Sequence, residues 1–140
     1  VNLIAHIDGG SRGNPGPSAA AFIVTDKAGN TLAEQSRFLG DGTNNEAEYH
    51  ALIELLKWLD ENKGLRKTSR DAVYVRCDSQ LIVCQVTGQW KVKEPRLKEL
   101  LAQVQELKKR QPFRLYIRHV VREKNKEADK LVNEAIDRQL

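Results

Sequence analysis

Four acidic residues stand where a folded core does not welcome charge: Asp8, Glu48, Asp78 and Asp129. Asp8 closes a segment (NLIAHID) in which Leu3, Ala5 and Ile7 alternate with other residues, just before a turn dense in Gly and Pro. Asp78 follows the run AVYVRC and starts the turn into a helix. Glu48 shares helical spacing with Leu52, Leu55 and Leu59, and Asp129 with Val132 and Ile136. Taken singly, each acid reads as a turn former, a cap or a first-turn residue. Taken together they are a different matter, because clustered carboxylates repel one another and resist desolvation. Divalent cations relieve that cost. An all-oxygen set without a Cys or His set favours Mg²⁺ or Mn²⁺. Two such ions about 4 Å apart are a known device for in-line phosphoryl displacement.

The elements that must position these acids can be read from periodicity. Residues 2–8, 19–25 and 31–39 read as strands, joined by the turn GGSRGNPGP (9–17) and the hairpin DKAGN (26–30). A helix capped by Thr43 or Asn44 follows and runs toward Gly64. Residues 72–77 read as a fourth strand, 79–86 as a short helix and 113–121 as a fifth strand. Pro95 can open a helix with Leu97, Leu100, Leu101, Val104 and Leu107 on one stripe, and 126–138 reads as the last helix. A right-handed crossover through the first long helix would set strand four parallel to strand one. The expected class is α/β, a mixed five-stranded sheet covered by helices, with Asp8 and Asp78 at one end of adjacent strands.

Composition narrows the function. The chain has 140 residues, which fits a single domain over 1–140. It is 30% charged with a mean hydropathy of −0.56, and no apolar run approaches the roughly 18 residues of a membrane span. No charged-then-apolar leader opens the sequence, and Cys77 and Cys84 form no CxxC motif. Reduced thiols, a cytoplasmic location and a monomer are the expectations. The net charge of +4 hides an asymmetry: residues 91–126 hold twelve Lys or Arg against four Glu. A basic segment of that kind suits a polyanion partner, although a solvated helix face would look the same.

DGGSRGNPGP (8–17), TNNEAEYHAL (43–52), CDSQ (77–80) and VVREKNKEADKLVNEA (120–135) occur in the order and at the spacing of type 1 ribonuclease H signatures. The chain resembles that family over nearly its whole length. The resemblance implies a ribonuclease H-like fold with sheet order 3-2-1-4-5, strand 2 antiparallel to the rest. It implies cleavage of the RNA strand of RNA–DNA hybrids, leaving 5′-phosphate and 3′-hydroxyl ends, with two ions per active site. By motif match the metal-binding carboxylates are Asp8, Glu48, Asp78 and Asp129. Glu46 is excluded because the motif and the 48/52/55 stripe both select Glu48. Ser11, Arg12, Asn14, Thr43, Asn44, Asn45 and Gln80 match or adjoin substrate-binding positions. Asn14, Asn44 and Asn45 also suit turn or capping roles. Arg122 takes a position where compact members carry an arginine, and supports the handling of product phosphate or metal.

Departures from the family pattern matter as well. The long basic protrusion of well-known bacterial members has no counterpart, since GQWKVKEPRLKE is a short connection. Lys91, Lys93, Arg96 and Lys98 are the substitute cations, and Trp90 could either stack on substrate or be buried. The histidine those members carry before the last acid is missing from VREKNKEAD, and His6, His50 and His119 read as structural. A compact bacterial or archaeal enzyme without an amino-terminal hybrid-binding module is the expectation. Two rivals are a non-catalytic hybrid-binding domain and another nuclease of the same fold, resolvase- or integrase-like. Neither accounts for all four acids together with the TNNxAE and GNPGP blocks.

Overall fold

The computed structural model describes residues 2–140. Its elements run β1 (Leu3–Ser11), β2 (Gly16–Asp26), β3 (Thr31–Gly42), α1 (Asn44–Glu61), β4 (Ala72–Cys77), α2 (Gln80–Val86), α3 (Pro95–Lys109), β5 (Arg114–His119) and α4 (Lys126–Asp137). Single 3-10 turns at Lys63–Leu65 and Arg122–Lys124 follow α1 and β5. The strands form a sheet of order β3-β2-β1-β4-β5. β2 is antiparallel to both neighbours, and β1, β4 and β5 are parallel. The expected class, order and strand directions are those observed.

Several boundaries differ from the sequence reading: β5, expected over 113–121, spans Arg114–His119, β2 begins at Gly16, and β1 and β3 run on at the acidic end. The Gly/Pro-rich turn is shorter than 9–17, because Gly9, Gly10 and Ser11 keep their rungs with Ala20, Ala19 and Ser18. Only residues 12–15 turn, closed by the Arg12 amide donating to the Pro17 carbonyl at 2.9 Å. Glycine is a poor strand former by propensity, but an antiparallel partner on the rung overrides it. β3 likewise runs on to Gly42, where its residues continue to pair with β2.

Helices cover both faces of the sheet. On one face Leu3, Ala5 and Ile7 of β1 and Val73 and Val75 of β4 pack beneath Leu52, Leu55, Leu56 and Leu59 of α1, with Leu97, Leu100 and Val104 of α3 beyond. On the other, α4 lays Val132, Ala135 and Ile136 on Ala19 and Ala21 of β2. β2 is therefore buried on both sides, which is why its middle reads AAAFIV without alternation. Its alanines let α4 approach closely. Among the described residues no helix is long and apolar enough to cross a membrane.

Candidate active site

Each acid is carried to one end of the sheet by an identifiable local cause. The last parallel rung of β1 and β4 is Ile7 against Cys77, so Asp8 and Asp78 are the next residues along adjacent strands. α1 begins beside them. Its N-cap Thr43 accepts from the Glu46 amide at 3.1 Å, and Glu46 Oε1 accepts from the Thr43 amide at 3.1 Å, a reciprocal capping box. Glu46 also pairs with Arg96 of α3 at 3.2 Å, which fixes it away from the acidic cluster. Two residues on, Glu48 is buried and its Oε1 accepts from the Gly9 amide at 2.6 Å. That approach needs glycine, since a Cβ at residue 9 would strike the Ala47 carbonyl and the Glu48 amide.

One carboxylate oxygen from each of Asp8, Glu48 and Asp78 lies within 4.8 Å of the others. Asp129, on the first turn of α4, brings its carboxyl within hydrogen-bonding reach of Asp8, and all four acids line a cavity of about 370 Å³. Asn125 fixes this side of the site. It is buried, and its Nδ2 donates to the Ile7 carbonyl at 2.8 Å and to Asp78 Oδ2 at 3.3 Å. Its own carbonyl accepts from the Asp129 amide at 3.1 Å. One residue thus touches the strand bearing Asp8, the Asp78 carboxylate and the turn bearing Asp129.

The electrostatics follow from crowding. Burial, then the charges of Asp78 and Asp129, push the Asp8 carboxyl up from 3.8 to about 8. Burial and the neighbouring Asp8 and Asp78 hold Glu48 well above its ordinary range. Cys77, a free buried thiol at the last rung, is raised mainly by burial. Such a set disfavours its own ionisation, and a hard cation among the oxygens removes the disfavour. The donor chemistry therefore fits divalent metal, and the residues able to hold it are Asp8, Glu48 and Asp78, with Asp129 beside Asp8.

The remaining sequence candidates fall into three groups. Ser11, Arg12, Asn44, Asn45 and Arg122 line the cavity. Asn44 and Ser11 are mutually fixed, since Asn44 Oδ1 accepts from the Ser11 amide at 2.8 Å while Ser11 Oγ donates to the Gly42 carbonyl at 2.7 Å. Arg12 reaches the wall but is engaged there, pairing with Asp137 at 2.6 Å and donating to Asn133 at 3.2 Å. Asn14 and Thr43 stand behind the wall: Asn14 Oδ1 accepts from the Asn44 amide at 2.9 Å, and Thr43 caps α1. Gln80 opens α2 with an exposed side chain and is not part of the lining. Trp90 is 47% exposed, so the buried alternative for it does not hold. His119 is exposed at the end of β5, while His6 and His50 are half-buried with imidazoles pushed below the ordinary range, chiefly by burial.

Sequence reasoning missed Ser79, Asn125 and Asn133. Ser79 caps α2 and lines the cavity. Asn125 and Asn133 sit four residues either side of Asp129, one helical stripe that was legible as i, i+4, i+8.

This sheet order, with an acidic cluster where β1 and β4 end, defines a ribonuclease H-like fold. A family model described as reverse transcriptase-like matches residues 6–135. LC11-RNase H1, isolated from compost and solved in complex with an RNA/DNA hybrid, is 47% identical with a TM-score of 0.90 over 98% of each chain. Ribonuclease H1 from the archaeon Halobacterium salinarum is 37% identical with a TM-score of 0.87 over 98% of each chain. A bifunctional protein of Mycobacterium tuberculosis is 41% identical over 98% of this chain, and the chain spans 36% of that protein's length. The chain belongs to the type 1 ribonuclease H family.

Proposed function

We propose that this protein is an endoribonuclease that hydrolyses the RNA strand of RNA–DNA hybrids, leaving 5′-phosphate and 3′-hydroxyl ends. The observation that carries the proposal is the convergence of three carboxylates within 4.8 Å, with a fourth beside Asp8 in the same cavity. Asp8, Glu48, Asp78 and Asp129 would hold two divalent cations, Mg²⁺ or Mn²⁺. When bound, these ions supply Lewis acidity at the scissile phosphate and lower the pKa of water.

The chain's own residues do the rest. Asp8, between Asp78 and Asp129, orients both halves of the site. Water adds across the P–O3′ bond: its oxygen bonds to phosphorus, the bond to the 3′-oxygen breaks, and that oxygen leaves with a proton. Arg122, on the cavity wall, places a fixed positive charge near the freed 5′-phosphate. Asn44, Asn45 and Ser11 offer short polar groups suited to the 2′-hydroxyl that separates RNA from DNA. Asn14 supports them through Asn44, Thr43 presents the helix start toward a phosphate, and Arg12 and Gln80 extend the contact surface. A cytoplasmic monomer acting as a single domain completes the reading.

The test compares end-labelled RNA–DNA hybrid, duplex DNA, duplex RNA and junction DNA with Mg²⁺. Cutting of the RNA strand of the hybrid alone is expected. Preferential cutting of junction DNA, or binding without cutting, would replace the proposal.

A further inference from the structure

Part of the sheet is left uncovered. α4 shields β1 and β2 on its side, but β5 is an edge strand and the adjoining face of β4 and β5 is open. Register places Tyr74 opposite Tyr116 on this face, and Arg76 opposite Arg118 one alternate rung further along. The tyrosines are stacked, with centroids 5.4 Å apart and planes at 16°. They are nevertheless 39% and 49% exposed, so their outer faces meet solvent. A groove of about 680 Å³ runs across them; Lys27, Arg76 and Arg118 line it, and among the described residues no carboxylate does. Arg114 precedes Tyr116 on the same strand face, giving β5 the sequence Arg-Leu-Tyr-Ile-Arg.

A cross-strand tyrosine pair alone would be ordinary sheet packing. Cations of one sign on both sides of an exposed aromatic pair are the chemistry of single-stranded nucleic acid binding, in which bases stack and phosphates are neutralised. A second copy of this chain fits poorly, because a twofold pairing of β5 edges would set arginine against arginine. Direction adds the last element. Tyr74, Arg76 and Asp78 follow one another along β4 at alternate positions, so the platform leads toward the acidic site over about 13 Å at roughly 3.3 Å per residue.

We propose that the open β4–β5 face, built on Tyr74, Tyr116, Arg76 and Arg118, binds a single-stranded tail of the RNA strand held at the acidic site. The assignment to the RNA strand rests on the proposed hybrid cleavage, whereas the platform itself does not. The experiment uses four hybrids with one common duplex: blunt, RNA-tailed at one end, RNA-tailed at the other, and DNA-tailed. KM is measured for wild type, Tyr74→Ala/Tyr116→Ala, Tyr74→Phe/Tyr116→Phe and Arg76→Ala/Arg118→Ala. In parallel, fluorescence anisotropy follows a labelled single-stranded RNA oligonucleotide in chelator, where cleavage plays no part.

One RNA-tailed hybrid is expected to show a KM at least about fivefold below the blunt hybrid, with the advantage lost in the alanine variants and kept in the phenylalanine variant. KM for the blunt hybrid stays unchanged throughout. Equal KM for blunt and tailed hybrids in wild type overturns the proposal, as does a tail preference that survives both alanine variants. A preference for the DNA tail overturns the strand assignment. A concentration-dependent dimer abolished by the alanine variants makes the face a self-association surface instead. Failure of the hybrid-cleavage reading would show as an uncut blunt hybrid, while anisotropy would still report on the platform.

Discussion

The Gly9 amide donates to Glu48 Oε1 at 2.6 Å, and this bond ties the first turn of α1 to the residue after Asp8. It is the tightest link between the helix and the strand at the acidic end. It exists because residue 9 has no side chain. Gly9→Ala should push α1 away from β1, cost about 1–3 kcal/mol of stability and remove most hybrid cleavage. Thermal unfolding and a cleavage assay on the same preparation check both parts.

The proposed metal binding would couple to pH through Asp8. Its folded-state value of about 8 lies above the ordinary 3.8, so its protonated form favours the fold. That contribution is complete below the unfolded value and is lost as pH rises through about 8. In chelator, therefore, this group makes the protein less stable at pH 8 than at pH 5, and Mg²⁺ or Mn²⁺ should restore more stability at pH 8. Asp8→Asn removes the repulsion and should raise the chelated protein's Tm at pH 8 by about 3–8 °C, or about 1–2 kcal/mol. The same substitution should abolish cleavage and shrink the cation-induced shift. Scanning calorimetry at both pH values, with and without cation, reads all of these.

Asn125→Ala leaves the Ile7 carbonyl and Asp78 Oδ2 without their shared donor. A loss of about 1–3 kcal/mol is expected from the buried carbonyl alone. Activity should fall further than the change in folded fraction explains, because Asp78 is no longer held. Comparing kcat well below the variant's Tm with wild type separates the two effects.

Tyr49→Phe is the matching structural control. The Tyr49 hydroxyl donates to Gln85 Oε1 at 2.7 Å between α1 and α2, away from the acids. Burial pushes this phenol up to about 12. Its removal should cost about 1 kcal/mol while kcat and KM stay unchanged. A fall in kcat would mean that α2 communicates with the site.

Arg122→Ala should slow turnover with the fold intact. Arg122 lies in an exposed 3-10 turn between β5 and α4 and makes no ion pair among the described residues, so stability has little to lose. Steady-state kinetics with a product-inhibition series checks its role toward phosphate. Unchanged kinetics would remove that role.

Much of this was legible in the sequence, for physical reasons. Leu3, Ala5 and Ile7 point to one core and Asp8 continues the opposite face, a period of two that cannot be satisfied elsewhere. Glu48 was legible because Leu52, Leu55 and Leu59 fix its face of α1. The extension of β1 through Gly9 and Gly10 was not, because it depends on pairing with Ala19 and Ala20 rather than on glycine's own preference. The bonds of Asn125 and the ion pair of Arg12 with Asp137 were also hidden, since they join residues remote in sequence. The Tyr74–Tyr116 stack is of the same kind, set by the β4–β5 register alone.

The central claim is that Asp8, Glu48, Asp78 and Asp129 hold two hard cations beside a scissile RNA linkage. Anomalous scattering from crystals grown with Mn²⁺ and a non-hydrolysable RNA–DNA hybrid tests it most directly. Two peaks are predicted, one on either side of the Asp8 carboxylate and both against the RNA backbone. No peak at Asp8, or manganese bound only elsewhere on the surface, would contradict the account.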